Sequence, residues 1–182
     1  MQHLSKIGVL AVVILLSAIT PFASAQVLTE AEVSWLQYMR EEEKLARDVY
    51  LHFSELFPNA KIFANIAISE QAHMDAIKSL LVRYHVEDPA QTTGVGEFNI
   101  PEIDSLYKTL IAAESLVDAL KAGVSIEETD IVDLEAAMAA TTRLDIDRVY
   151  NNLLSGSFNH LEAFELNLLN LNSTGQKSRV GK

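Results

Sequence analysis

Four long segments of this chain carry apolar residues at alternating three- and four-residue steps, and the links between them run short, long, short. That order constrains the fold more than any other feature. The alternation marks the inward stripe of an amphipathic helix. The first segment runs from about Thr29, an N-cap with Glu32 as its capping-box partner, to about Phe57. The second follows Pro58-Asn59 and ends near His85. A shorter helical stretch opens at Pro101, a residue suited to a first helical position, and closes near Ala113. The third long segment spans about Ser115 to Thr141, weakened at Gly123 and Ser125; the fourth spans about Leu144 to Leu171, with an interruption expected at Gly156. Links of a few residues force antiparallel neighbours, whereas roughly 30 residues between the second and third can cross the whole assembly. The expectation is an all-α fold: two antiparallel hairpins joined by a long crossover with an extra short helix.

The stripes contain residues that do not belong in an apolar core. The first reads Leu36, Met39, Glu43, Ala46, Tyr50, Phe53, Phe57, with Glu41 and Glu42 read as facing away. The second reads Phe63, Ile66, Glu70, His73, Ile77, Leu80, Tyr84. The third reads Leu116, Leu120, Val124, Glu127, Ile131, Leu134, Met138, with Asp130 beside Glu127. The fourth reads Ile146, Val149, Leu153, Ser157, His160, Phe164, Leu168. Burying an ionised carboxylate costs several kcal/mol or more unless something compensates it. A metal ion compensates Glu70 and His73 together, because a three-residue step puts both on one helix face. At ~1.5 Å per residue, Glu43, Glu70, Glu127 and Ser157 fall within roughly one or two turns of a common layer.

A di-metal carboxylate centre in a helical bundle takes one Glu from each of two helices and a Glu-x-x-His from each of the other two. This chain offers Glu43, Glu70 with His73, Glu127, and Ser157-x-x-His160. A serine stands where the last carboxylate is expected, and Asp130, one turn from Glu127, is a substitute oxygen donor. Each candidate has a plainer reading. Glu43 could pair with Arg47, Glu128 could be the inward residue in place of Glu127, His160 could be a satisfied core histidine, and Asp130 could face solvent. Tyr50 is either core or a hydrogen-bond partner of a ligand, and His52 and His85 fit no stripe.

Composition narrows the chemistry. With no cysteine, thiolate-bound zinc, iron–sulfur clusters and thiol catalysis are excluded. Oxygen and nitrogen donors favour iron, as two ions or one, with manganese or zinc as alternatives. Lys6, the apolar run Ile7 to Ile19 and Ala23-Ser24-Ala25 have the form of a cleavable signal peptide over residues 1–25, cut near Ala25-Gln26. The apolar run is short for a membrane span. A periplasmic or secreted protein with no membrane attachment after cleavage is therefore expected, its helical domain at 26–171 and a polar, disordered tail at 172–182. Removing a segment whose sole charge is Lys6 takes the net charge from −11 to −12, a poor match for nucleic acid. Metal ions are the expected partners, oxygen or peroxide the expected co-reactants, and a homodimer is compatible. No phosphate loop or nucleophile elbow is present.

Several segments resemble a known family: Met39-Arg40-Glu41-Glu42-Glu43-Lys44-Leu45-Ala46-Arg47-Asp48, Asn65 through His73, Ile126 through Ile131, and Asn159-His160-Leu161. Glu43-x-x-Ala46-Arg47-x-x-Tyr50 and the Glu70-x-x-His73 helix resemble rubrerythrin-type ferritin-like proteins. More specifically, the segments resemble the ferritin-like domain of unknown function 2202, over about residues 30 to 170. The resemblance implies a ferritin-like four-helix bundle and a di-iron site, and no assigned activity. Two readings stay open: a di-iron oxidoreductase of ferroxidase or peroxidase type, or a non-catalytic bundle with a single or vestigial metal site.

Overall fold

The chain is seen in a computed structural model that describes residues 27–180, with side chains to residue 171. The expected signal peptide lies outside the described residues. Five helices follow in order: α1 (Glu30–Leu56), α2 (Lys61–Tyr84), α3 (Pro101–Leu110), α4 (Leu116–Ala139) and α5 (Leu144–Val180), with no strand among the described residues. No helix among the described residues is long and apolar enough to cross a membrane.

The ends form where side chains can satisfy them. Thr29 Oγ1 accepts from Glu32 N at 3.2 Å, and Thr29 N donates to Glu32 Oε2 at 2.8 Å, the expected capping box. Ser115 caps α4, and Pro101 opens α3. Helix α5 departs from expectation at two places. It passes through Gly156 unbroken and continues past Leu171 to Val180. A glycine inside a helix costs only about 1 kcal/mol, which packing outweighs here.

Helix α1 packs along α2 and α4 along α5, and the two pairs meet through α1 on α4 and α2 on α5. Two apolar cores result. One gathers Tyr50, Phe53, Phe63, Leu120 and Phe164, with Tyr50 and Phe164 rings 5.2 Å apart. The other gathers Leu36, Met39, Ile77, Leu81, Leu134 and Tyr150. Between them, in sequence and in space, lie the inward acids and histidines.

The crossover and α3 cover the outer side of α1, which reverses the reading of Glu41 and Glu42. Both are buried, at 0 % and 5 % exposure. Glu41 accepts from the backbone N–H groups of Asn99 at 2.8 Å and Ile100 at 2.7 Å, capping the start of α3. Lys44 donates to Asp48 at 2.6 Å and to the carbonyls of Gly94 at 2.7 Å and Glu97 at 2.9 Å. Asp48 also accepts from Gly96 N at 2.9 Å, and Arg40 pairs with Asp88 at 2.9 Å. Gly96 has φ 76°, and a Cβ there would stand 2.9 Å from the Tyr107 hydroxyl. The long connection is thus clamped onto α1 by charged groups that lie outside its apolar stripe.

Candidate metal centre

Glu43 on α1, Glu70 and His73 on α2, Glu127 and Asp130 on α4, and Ser157 and His160 on α5 are all buried. Five of them form two groups of three, Glu43–Glu70–His73 and Glu70–Glu127–His160. Within each group one donor atom per residue lies within 4.8 Å of the others, a spacing that could hold an ion. Glu70 belongs to both. Its Oε2 lies 2.8 Å from His73 Nδ1 and its Oε1 lies 2.8 Å from His160 Nδ1, so one carboxylate faces both imidazoles. Glu43 Oε2 approaches His73 Nδ1 at 3.1 Å, and Glu127 Oε2 approaches His160 Nδ1 at 3.5 Å. The two rings stack with centroids 5.6 Å apart.

The donors are aimed at one another, and apart from the hydrogen bond between His73 Nδ1 and Glu43 Oε2 several of their atoms stay unsatisfied. Glu43 Oε1, Glu70 Oε1, Asp130 Oδ1 and His160 Nδ1 are buried without a hydrogen-bond partner, although the last approaches Glu70 to 2.8 Å. Short contacts lacking hydrogen-bond alignment are what groups turned toward a common central point produce. Buried polar atoms are otherwise almost always paired. The donor set therefore fits a divalent cation, or two.

Electrostatics agree with that geometry. Burial pushes Glu43 well above the usual carboxylate range, and the charges of Asp130 and Glu70 add to it. Burial likewise raises Glu127, to about 7, against the lowering contact with His160. Burial and the Glu127 charge raise Asp130, against the lowering hydrogen bond from Ser157. Glu70 moves the other way: burial would raise it, but the close imidazoles of His160 and His73 outweigh burial and hold it at about 2. Burial lowers His160 while Glu127 and Glu70 raise it further, to about 10. An imidazolium is here the counterion to the shared carboxylate. A multivalent cation would relieve the same repulsion more fully.

Asp130 turns inward, not toward solvent. Ser157 Oγ donates to its Oδ2 at 2.5 Å and to the Leu153 carbonyl at 3.0 Å. It joins neither three-residue group. Glu127, not Glu128, is the inward residue of its turn: Glu127 is 1 % exposed and Glu128 lies at the surface. Arg47 pairs with Asp48 at 2.6 Å and donates to Gln71. Tyr50 donates to Glu127 Oε1 at 2.6 Å and so orients a carboxylate of the site.

One contributor carried no signal as a polar residue in a stripe: Gly156, where a Cβ would lie 2.6 Å from His73 Nε2. The glycine leaves the space that the His73 ring occupies between α2 and α5. Its place one residue before Ser157 was the available clue. Gly156→Ala is expected to displace the imidazole. The measured result would be a loss of about 1–3 kcal/mol in unfolding free energy, the usual cost of overpacking, and weaker metal binding. Unchanged stability and metal affinity would show that the ring has room to move.

Comparisons with known proteins place these residues in a wider setting. The family profile described as an uncharacterised protein domain, DUF2202, matches residues 32–179. The uncharacterised protein MJ0754 of Methanocaldococcus jannaschii is 46 % identical over 159 residues, covering 86 % of this chain and 85 % of that protein. The crystal structure of hypothetical protein MJ0754 from Methanococcus jannaschii superposes with a TM-score of 0.78 at 48 % identity, over 81 % of this chain and 85 % of that one. A DUF305 fragment from Deinococcus radiodurans superposes with a TM-score of 0.58 at 15 % identity, over 78 % and 97 % of the two chains, a likeness of fold alone.

Proposed function

We propose that this chain, which belongs to the DUF2202 family of uncharacterised domains, is a ferritin-like four-helix bundle holding two transition-metal ions, iron foremost, in an uneven carboxylate–histidine centre. The observation that carries this reading is the pair of three-residue groups joined by Glu70. Bound there, iron supplies a redox couple able to deliver electrons to oxygen or peroxide. Glu43 with His73 would hold one ion, Glu127 with His160 the other, and Glu70 both. Manganese or zinc suits the same donors.

The chain's own groups have definite tasks. The carboxylates of Glu43, Glu70 and Glu127 accumulate negative charge in a low-dielectric layer, which favours the more highly charged oxidation state of a metal they share. Tyr50 holds Glu127 in one orientation. The two apolar cores on either side limit access of water. Ser157 occupies one oxygen of Asp130, so the α4–α5 half has fewer free oxygens than an ordinary second Glu-x-x-His would provide. Export to the periplasm or outside the cell rests on the amino-terminal segment and belongs to the same proposal.

Metal analysis of the purified protein beside a Glu70→Ala/His73→Ala variant tests it. The expected result is about two ions per chain in the wild type and Fe(II) oxidation that depends on oxygen or peroxide. A wild type carrying no more iron, manganese or zinc than the variant would remove the metal centre. A non-catalytic bundle is the second reading, favoured by the serine at 157. One ion per chain without Fe(II) oxidation would select it.

A further inference from the structure

The donors of the centre are not buried equally. Side-chain exposure is 1 % for Glu43 and 2 % for Glu70 and Glu127, but 11 % for His73 and 10 % for His160. Each imidazole turns Nδ1 toward the carboxylates, which leaves its Nε2 pointing away from them. Neither Nε2 has a hydrogen-bond partner among the described residues. Both rings reach the seam between α2 and α5 at one point: a Cβ at Gly156 would meet His73 Nε2 at 2.6 Å and His160 Cε1 at 3.9 Å.

Small residues frame that point. Ser69 and Ala76 stand four before and three after His73, and Gly156 and Ala163 stand likewise about His160, spacings that share a helix face. All four are half-buried. The seam is also uncharged, in a chain of net charge −11. From Ile62 to Met74 the sole acid or base of α2 besides His73 is the inward Glu70, and from Val149 to Leu161 α5 has none besides His160. The other approaches are covered. An apolar core lies on either side of the layer, and the crossover is held over α1 by Glu41 and Lys44.

We propose that the α2–α5 seam at Gly156 is the entrance to the centre, and that it admits a small uncharged oxidant of the size of dioxygen or hydrogen peroxide. The proposal rests on the reading of the paired groups as a metal centre. Small side chains on both helices leave the outer edges of the two imidazoles within reach of such a molecule. A charged reactant would give up water there for a strip that offers no opposite charge, a costly exchange. A bulky organic peroxide would have to part α2 from α5.

Stopped-flow binding of nitric oxide, an uncharged diatomic probe, to the Fe(II)-loaded protein tests the entrance by visible absorbance. Ala76→Leu and Ala163→Leu, one on each helix, are each expected to slow binding ~10-fold or more, an added barrier of at least about 1.4 kcal/mol. Iron content and the final spectrum should equal those of the wild type. Wild-type rates in both variants would overturn the proposal. So would iron missing from variants with native circular dichroism, which would make these residues supports of the ligands and not the frame of an entrance. If either variant does not fold, Ser69→Leu decides by the same rate. A wild type that holds iron but binds no nitric oxide would also overturn the entrance. A wild type that takes up no iron would overturn the metal centre itself, a separate outcome.

Discussion

Glu70→Ala is expected to empty both halves of the centre at once, whereas Glu43→Ala or Glu127→Ala should each empty only one. The difference follows from the shared carboxylate. Glu70 offers Oε2 to the His73 side and Oε1 to the His160 side, each 2.8 Å from an imidazole nitrogen. Changes to groups that merely support metal ligands cost ~10–100-fold in affinity, so removing a carboxylate common to two ions should cost at least ~100-fold for both. Glu43 and Glu127 each belong to a single group. Isothermal titration with Mn(II) or Co(II) separates the outcomes as stoichiometry. A Glu70→Ala variant that keeps one tight site would mean that the groups act independently and that the bridge is incidental.

Protein stripped of metal by chelation should become more stable as the pH is lowered from about 8 to about 5, and metal should reverse that trend. Glu127 is raised by burial from 4.5 to about 7, so its favourable contribution is full below 4.5 and lost as the pH rises through about 7. Glu42, Glu43 and Asp130 are raised as well, each by burial first, and act in the same direction. His160, raised from 6.5 to about 10 by Glu127 and Glu70 against burial, contributes below 6.5 and loses that contribution toward about 10. Glu70, held at about 2, loses its contribution only as the pH falls below 4.5, outside this window.

The folded, stripped protein therefore binds more protons than the unfolded chain across the range. Each 1 kcal/mol corresponds to about 2–4 °C in Tm for a domain of this size, so a rise of at least about 3 °C on acidification is expected in a thermal melt. Metal binding requires deprotonated ligands. The loaded protein should instead gain stability with pH, by about 2.7 kcal/mol when free metal is 100-fold above Kd. A stripped protein whose Tm is flat or falls on acidification would show that the buried acids are paired in a way their geometry does not suggest.

Helix order, the two hairpins, the capping box at Thr29 and the inward turn of Glu43, Glu70, His73, Glu127 and His160 were legible in the sequence, because each depends on local spacing. A 3.6-residue period assigns faces, and short links assign neighbours. The helix break expected at Gly156 fails for a physical reason: a glycine signals weakness locally, but here the absent Cβ is what seats His73. Glu41 and Glu42 were misassigned for a related reason. Periodicity knows one buried face, and only the crossover folding back over α1 creates a second.

The sequence by itself determined an all-helical chain with acids and histidines committed to one inward layer, because burial of charge follows from the apolar stripe in which each residue sits. Tertiary structure alone decided three other things: that Glu70 serves both histidines, that Asp130 turns inward to hold Ser157, and that Glu42 is buried among acids without a cation. Those depend on how helices distant in sequence approach and rotate against one another. No spacing along a single helix encodes that relation.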